Sequence, residues 1–144
     1  MAGGAGIGKR VVFTDGVFDL LHANHVAFLE EAKSFGDWLV AGVVSDLRTE
    51  EYKRRPVLSQ EERLRVVEAL SCVDEAFIIQ DALTFETMER IIANYGVTAV
   101  VYAGDSTPDF YVAAERLGIM HRLPYRAGVN SSEIIRRIIS RKGL

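Results

Sequence analysis

The chain has 144 residues, 49% hydrophobic and 26% charged, which is enough for one domain with a core of its own and ordinary for a soluble globular protein. A net charge of −3 gives no general attraction to nucleic acid or to an anionic membrane, so any polyanion must be bound locally. The single cysteine, Cys72, excludes an internal disulfide, no apolar run reaches transmembrane length, and the N-terminus lacks a signal-peptide layout, so a cytoplasmic protein is expected.

Residues 1–9 read as a flexible leader and residues 10–144 as a single domain. The leader contains Gly3 to Lys9, which imitates most of a phosphate-binding loop. The imitation fails because Arg10 stands where Ser or Thr should meet magnesium, and because the stretch precedes the first strand. Arg10–Thr14 is a β-branched run and the first expected strand. Asn24–Phe35 has helical apolar spacing and Gly36 as its stop. Trp38–Val44 is nearly continuous in apolar residues, as in a strand covered on both faces. Ser45–Leu58 is polar and basic and reads as a loop. Ser59 with Glu62 forms a capping box opening a helix to about Leu70. A strand at Ala76–Ile79, a helix from Phe85 to Tyr95 and a strand at Thr98–Tyr102 follow. A helix at Asp109–Leu117, a short strand at Ile119–Leu123 and a last helix at Ser131–Ser140, boxed by Asn130 and Glu133, complete the chain. Regular β–α alternation predicts an α/β fold with a Rossmann-like, doubly wound, five-stranded parallel sheet. Ligands in such sheets sit beyond the carboxyl ends of the strands, at the switch point. The 14–25 turn, the 45–58 loop, Gly104-Asp105 and the 126–132 turn all fall there.

His22 and His25 carry the strongest chemical signal. Residues at i and i+3 share one helix face, and a helix start offers free N–H groups that attract phosphate. Two plainer readings compete. One histidine caps and the other packs, or the pair binds a metal with Asp15 and Asp19, although no cysteine or further histidine lies nearby to complete a shell. Lys53, Arg54 and Arg55 read on their own as a solvated charge run, and Arg63 as the partner of a carboxylate on its own helix. Asp105 reads as a loop cap.

The string Gly16-Val17-Phe18-Asp19-Leu20-Leu21-His22-Ala23-Asn24-His25 decides among these. It resembles the G-x-F-D-x-x-H-x-G-H signature of the cytidylyltransferase family within the nucleotidyltransferase superfamily. Further likeness covers nearly the whole chain: Gly36-Asp37-Trp38-Leu39-Val40, Ser45-Asp46, Arg55-Pro56-Val57 with Glu61-Glu62-Arg63, Val73-Asp74-Glu75, Gly104-Asp105, and Arg126 through Ser132. The short bacterial glycerol-3-phosphate cytidylyltransferases look most similar. Ethanolamine-phosphate cytidylyltransferases and the adenylyltransferases of heptose phosphates look similar too. Three departures stand out: Asn24 replaces the glycine between the histidines, Asn130-Ser131-Ser132 replaces Ser-Thr-Thr, and the Arg126 loop is one residue shorter.

The resemblance implies transfer of CMP from CTP to a small phosphorylated alcohol or phosphonate, with release of pyrophosphate and with Mg2+ as cofactor. It implies chemistry by His22, His25, Lys53 and Arg126. Nucleotide contacts are expected from Thr14, Asp15, Gly16, Val17, Phe18, Gly104, Asp105, Asn130, Ser131 and Ser132, and acceptor contacts from Asp19, Arg54, Arg55 and Arg63. A homodimer with contacts near Val73, Ala76 and Phe77 is also implied, with no nucleic-acid or membrane partner. An adenylyltransferase acting on a sugar phosphate and a non-catalytic nucleotide-binding protein are the alternatives.

Overall fold

The computed structural model describes residues 8–143, so most of the expected leader lies outside the described residues. Five strands form one parallel sheet: β1 (Val11–Gly16), β2 (Trp38–Val44), β3 (Glu75–Ile79), β4 (Val97–Ala103) and β5 (Met120–Leu123). Their order is β3-β2-β1-β4-β5, the doubly wound arrangement, with the switch point between β1 and β4. The helices are α1 (Ala23–Lys33), α2 (Asp46–Glu50), α3 (Gln60–Glu68), α4 (Phe85–Tyr95), α5 (Asp109–Arg116) and α6 (Ser131–Ser140).

Strand periodicity builds two cores. Val11, Phe13, Val40, Val44 and Val100 point to the face covered by Met88 and Ile91 of α4 and Phe110 of α5. Val12, Leu39, Ala41, Val43, Ala99 and Val101 point to the opposite face, against Leu29 and Ala32 of α1 and Val67 of α3. Both faces being covered explains why β2 is apolar at nearly every position. Thr14, expected to contact nucleotide, is fully buried, and its hydroxyl donates to the Val101 carbonyl at 2.8 Å, tying β1 to β4.

Local chemistry agrees with most expected ends. Ser59 and Glu62 form the reciprocal box on α3. Gly96 takes a left-handed conformation (φ 64°) where α4 ends. Asn130 accepts from the Glu133 amide, but the Glu133 carboxylate turns to Arg136 and Arg137, so only half of the expected box on α6 forms. Gly36 acts through close packing rather than backbone freedom: a Cβ there would lie 2.5 Å from the Arg10 carbonyl oxygen. Two differences bear on the site. β1 runs on to Gly16, which carries Asp15 to the cleft in register with Gly42. The 45–58 segment holds a short helix, α2, capped by Ser45, whose hydroxyl accepts from the Arg48 amide. Val73 is buried in the core, while Ala76 and Phe77 sit on the edge strand β3. No described helix is long and apolar enough to cross a membrane.

Candidate active site

A cleft of about 1200 Å³ opens at the switch point, over the carboxyl ends of β1 and β4. It brings together thirteen of the residues expected to act there: Asp15, Gly16, Val17, Phe18, Asp19, His22, His25, Lys53, Arg54, Arg126, Asn130, Ser131 and Ser132. The N-termini of α1 and α6 both meet it, through their capping residues His22 and Asn130. Helix starts, together with Lys53, Arg54 and Arg126 in the same lining, concentrate positive charge in a chain that has none in general.

The turn into α1 is held in an unusual conformation. Phe18 (φ 55°) and Leu20 (φ 51°) take the left-handed region, which bulky residues avoid. Asn24 needs no such tolerance, because it is helical, in the first turn of α1. The two imidazoles stack with ring centroids 3.7 Å apart, and the Phe18 ring meets His25 edge-on at 5.6 Å. The His22 amide donates to His25 Nδ1 at 3.2 Å. With Nδ1 accepting, the proton of a neutral His25 sits on Nε2. Burial, with the neighbouring His22, pushes the His25 pKa down to about 4, and burial also lowers that of His22. Both rings are therefore neutral near pH 7. Among the described residues His22 Nδ1 is buried without a hydrogen-bond partner, a cost that a ligand can relieve.

Asp15 lines the same cleft. Burial raises its pKa to about 6 against the opposing bond from the Tyr111 hydroxyl and the charge of Lys53. Tyr102 stacks on Tyr111 at 4.0 Å. Tyr52, pushed up to about 12 by burial and by Asp15, lies under the Lys53 ammonium, 5.6 Å from its ring centre. These tyrosines come from β4, α5 and the segment after α2, and no sequence motif announces their convergence.

Several residues expected to touch ligand are engaged by the chain itself or lie away from the cleft. Arg63 is fully buried and absent from the cleft. Its guanidinium donates to the carbonyls of Leu58, Val17 and Val44 and to Asp46, the last at 2.7 Å. It has no free face for an acceptor phosphate. Asp19 is 3% exposed, and its carboxylate accepts from the Val57 and Leu58 amides and from Arg54. Burial pushes its pKa up, but those donors outweigh burial and hold it below the usual carboxylate range. Its carbonyl accepts from the Ser131 hydroxyl at 2.5 Å, joining the histidine turn to α6. Arg55 points away, exposed, 3.7 Å from Glu50. Gly104 and Asp105 lie outside the cleft: Arg122 holds the Gly104 carbonyl, and Asp105 is exposed.

Arg126 stands at the rim, about half exposed, 3.1 Å from Glu31 of α1. Asn24 reaches the same segment, its Nδ2 donating to the carbonyls of Val129 (2.8 Å), Ala127 (3.1 Å) and Arg126 (3.4 Å). Among the described residues, no group of three histidine, cysteine or carboxylate side chains is placed to hold a metal ion.

The chain resembles known proteins in sequence and in fold. The chain is 37% identical over 142 residues to the bifunctional protein HldE of Geobacter sulfurreducens, covering 94% of itself and 28% of that protein. It is 37% identical over 133 residues to a probable ethanolamine-phosphate cytidylyltransferase of Encephalitozoon cuniculi, covering 89% of itself and 40% of that protein. The chain thus spans less than half the length of these curated relatives. A solved lipopolysaccharide core biosynthesis protein from Thermoplasma volcanium superposes with a TM-score of 0.66 at 25% identity, over 85% of this chain and all of that one. Pantothenate synthetase from Thermus thermophilus, at 16% identity and a TM-score of 0.58, shares the fold. The sequence profile of the cytidylyltransferase-like family matches residues 13–137, and the chain belongs to that family.

Proposed function

We propose that the chain transfers CMP from CTP to a small phosphorylated alcohol or phosphonate, releasing pyrophosphate. The observation that carries this reading is the stacked, neutral histidine pair at the α1 N-terminus, facing Arg126 and the α6 N-terminus across one cleft. An acceptor phosphate oxygen attacks the α-phosphorus, a P–O bond forms, and the bond to the β-phosphate breaks with its electron pair leaving on pyrophosphate. No covalent enzyme intermediate is needed, so catalysis rests on positioning and charge stabilisation. His25 offers Nε2–H to the charge that develops at the α-phosphate and its leaving oxygen, and His22 stands beside it. Lys53, Arg126 and the α6 start, with Ser131 and Ser132, hold the β- and γ-phosphates. Arg54 faces the acceptor phosphate. Mg2+ belongs to the same proposal, as the cation that would neutralise the triphosphate. Asp15, expected to contact nucleotide, lines the cleft with its tyrosines, where a carboxylate suits a hydroxyl or ammonium group of the substrate. The likeness to an ethanolamine-phosphate cytidylyltransferase supports the same size of acceptor. Dimerisation at the β3 edge and residence in the cytoplasm belong to the same proposal.

Adenylyl transfer to a sugar phosphate is the second reading, favoured by equal identity to HldE over 94% of the chain. Pyrophosphate release, with CTP and ATP crossed against glycerol phosphate, ethanolamine phosphate, a heptose phosphate and an aminoalkyl phosphonate, separates the two. His22→Ala and His25→Ala should each lower kcat by about 10²–10³, as for loss of one preorganised donor. Release that survives both substitutions would overturn the histidine assignment.

A further inference from the structure

Arg126, Ala127 and Val129 turn their carbonyls toward one point, and the Asn24 side-chain nitrogen occupies it. The chain curls there because Gly128 adopts φ 104°, a left-handed conformation that side chains avoid, with the Asn24 nitrogen 3.9 Å from where its Cβ would be. Converging carbonyl dipoles repel one another, so this curl needs a donor at its centre. A carboxamide nitrogen carries two protons and no exposed lone pair, and three acceptors share those two protons. The donor comes from the first turn of α1, one residue from His25, while its acceptors lie more than a hundred residues later in the chain.

The curl sits between two parts of the site. On one side is the Arg126 side chain, held by Glu31 seven residues further along α1. Residues seven apart are two turns along one helix face, so α1 grips the segment by its backbone at Asn24 and by its guanidinium at Glu31. On the other side is the α6 start, where Asn130 caps the helix and Ser131 bonds to the Asp19 carbonyl. The segment is thus tied to α1 at one end and to the turn that precedes α1 at the other.

We propose that Asn24 is a positioning residue: it holds the 126–129 curl over α1, so that Arg126 and the α6 N-terminus meet the same polyphosphate chain as the histidines. This rests on the nucleotidyl-transfer reading for what the cleft binds, but the curl itself is defined by the geometry of the free chain. The amide of Asn24 acts on loop carbonyls, so its contribution lies in the register of the triphosphate site rather than in the chemical step.

The test uses the whole chain, with Asn24→Ala and Asn24→Asp. Alanine removes the donor while raising helix propensity, so a loss cannot come from a weakened α1. Aspartate keeps the shape and replaces the donor by an acceptor facing three carbonyls. The first measurement is amide hydrogen exchange over residues 125–131 in the ligand-free protein, beside that of the β1 and β2 amides. The second is calorimetric titration with magnesium CTP and magnesium ATP. Exchange in the curl should quicken at least tenfold in both variants, with the strands unchanged. Triphosphate affinity should fall about tenfold for alanine and further for aspartate, and the aspartate loss should shrink relative to wild type at acid pH, where the carboxyl regains a proton to donate. Unchanged exchange in Asn24→Ala overturns the proposal. So does quickened exchange with unaltered triphosphate affinity, because the curl would then not set the site. A wild-type chain that binds neither triphosphate, with the curl still loosened by the variants, overturns the nucleotidyl-transfer reading and supports the structural role of Asn24.

Discussion

Two charge networks flank the histidine turn, and they are built on opposite terms. In one, Arg63 and Asp19 are buried, and their charged groups are engaged by chain atoms: four carbonyl or carboxylate acceptors for the arginine, two amides and Arg54 for the aspartate. In the other, among the described residues, Arg126 is half exposed on a single ion pair, His22 Nδ1 is buried with no partner, and burial raises the Asp15 pKa to about 6. A charge whose hydrogen-bonding capacity is used up inside the chain has none left for a ligand. The first network is therefore a frame that fixes the turn, and the second is a surface waiting for charge. Both arginines belong to stretches that resemble family motifs, so residue type does not separate them; satisfaction does.

The largest test of this difference is Arg63→Met, which keeps apolar bulk but deserts the carbonyls of Val17, Val44 and Leu58 and takes the cation from Asp46, which keeps the Gln60 amide. A buried acceptor left without its donor costs about 1–3 kcal/mol, and Arg63 serves three carbonyls. Denaturant unfolding should show the loss, and triphosphate affinity of the remaining folded protein should hold at low temperature. A stable Arg63→Met chain that no longer binds triphosphate would put Arg63 back in the cleft and break the comparison. Arg126→Ala should behave in the opposite way. An exposed pair contributes roughly 0–1 kcal/mol to stability, so the unfolding midpoint should barely move. Losing a charge-assisted contact of about 1.5–3 kcal/mol should weaken triphosphate binding by roughly 10–100-fold. Calorimetry and thermal melts on the same samples read both effects. Destabilisation without weakened binding would make Arg126 part of the frame.

The sequence carries the frame's elements better than its wiring. Continuous β-branched runs mark β1, β2 and β4, because strands covered on both faces have no polar side to show. The Ser59–Glu62 box marks the start of α3, because the signal is local. The short helix α2 is illegible: five mostly charged residues have no apolar period, and only Ser45 beside Asp46 hints at a cap. The role of Arg63 is hidden for a different reason. Its partners lie on the ends of β1 and β2 and on α2, up to 46 residues away, where helical spacing says nothing. Lys53, Arg54 and Arg55 form one charge run in the sequence, yet Lys53 and Arg54 line the cleft and Arg55 does not. Asn24 looks like a backbone substitution in the sequence and acts through its side chain in the fold.

The smallest effect separates the two aspartates by pH. In Asp19 the folded pKa lies below the ordinary 3.8, so its stabilisation is present above that value and is lost only as pH falls below it. In Asp15 the folded pKa is raised to about 6, so between pH 4 and 6 the folded chain keeps a proton that the unfolded chain has released, and stability falls as pH rises through that window. His25 works against Asp15. Its folded value of about 4 lies below 6.5, so the unfolded chain binds more protons between those limits and stability rises with pH. The two slopes oppose each other in the wild type. Asp15→Asn removes only the falling one, so its melting midpoint should climb more steeply from pH 4 to 6, by on the order of 1–2 kcal/mol or roughly 3–6 °C in total. The acid loss below pH 4, to which Asp19 contributes, should remain in the variant. If Asp15→Asn melts in parallel with wild type across the window, Asp15 carries no strained charge, and the cleft wall it forms with Tyr111 belongs to the frame.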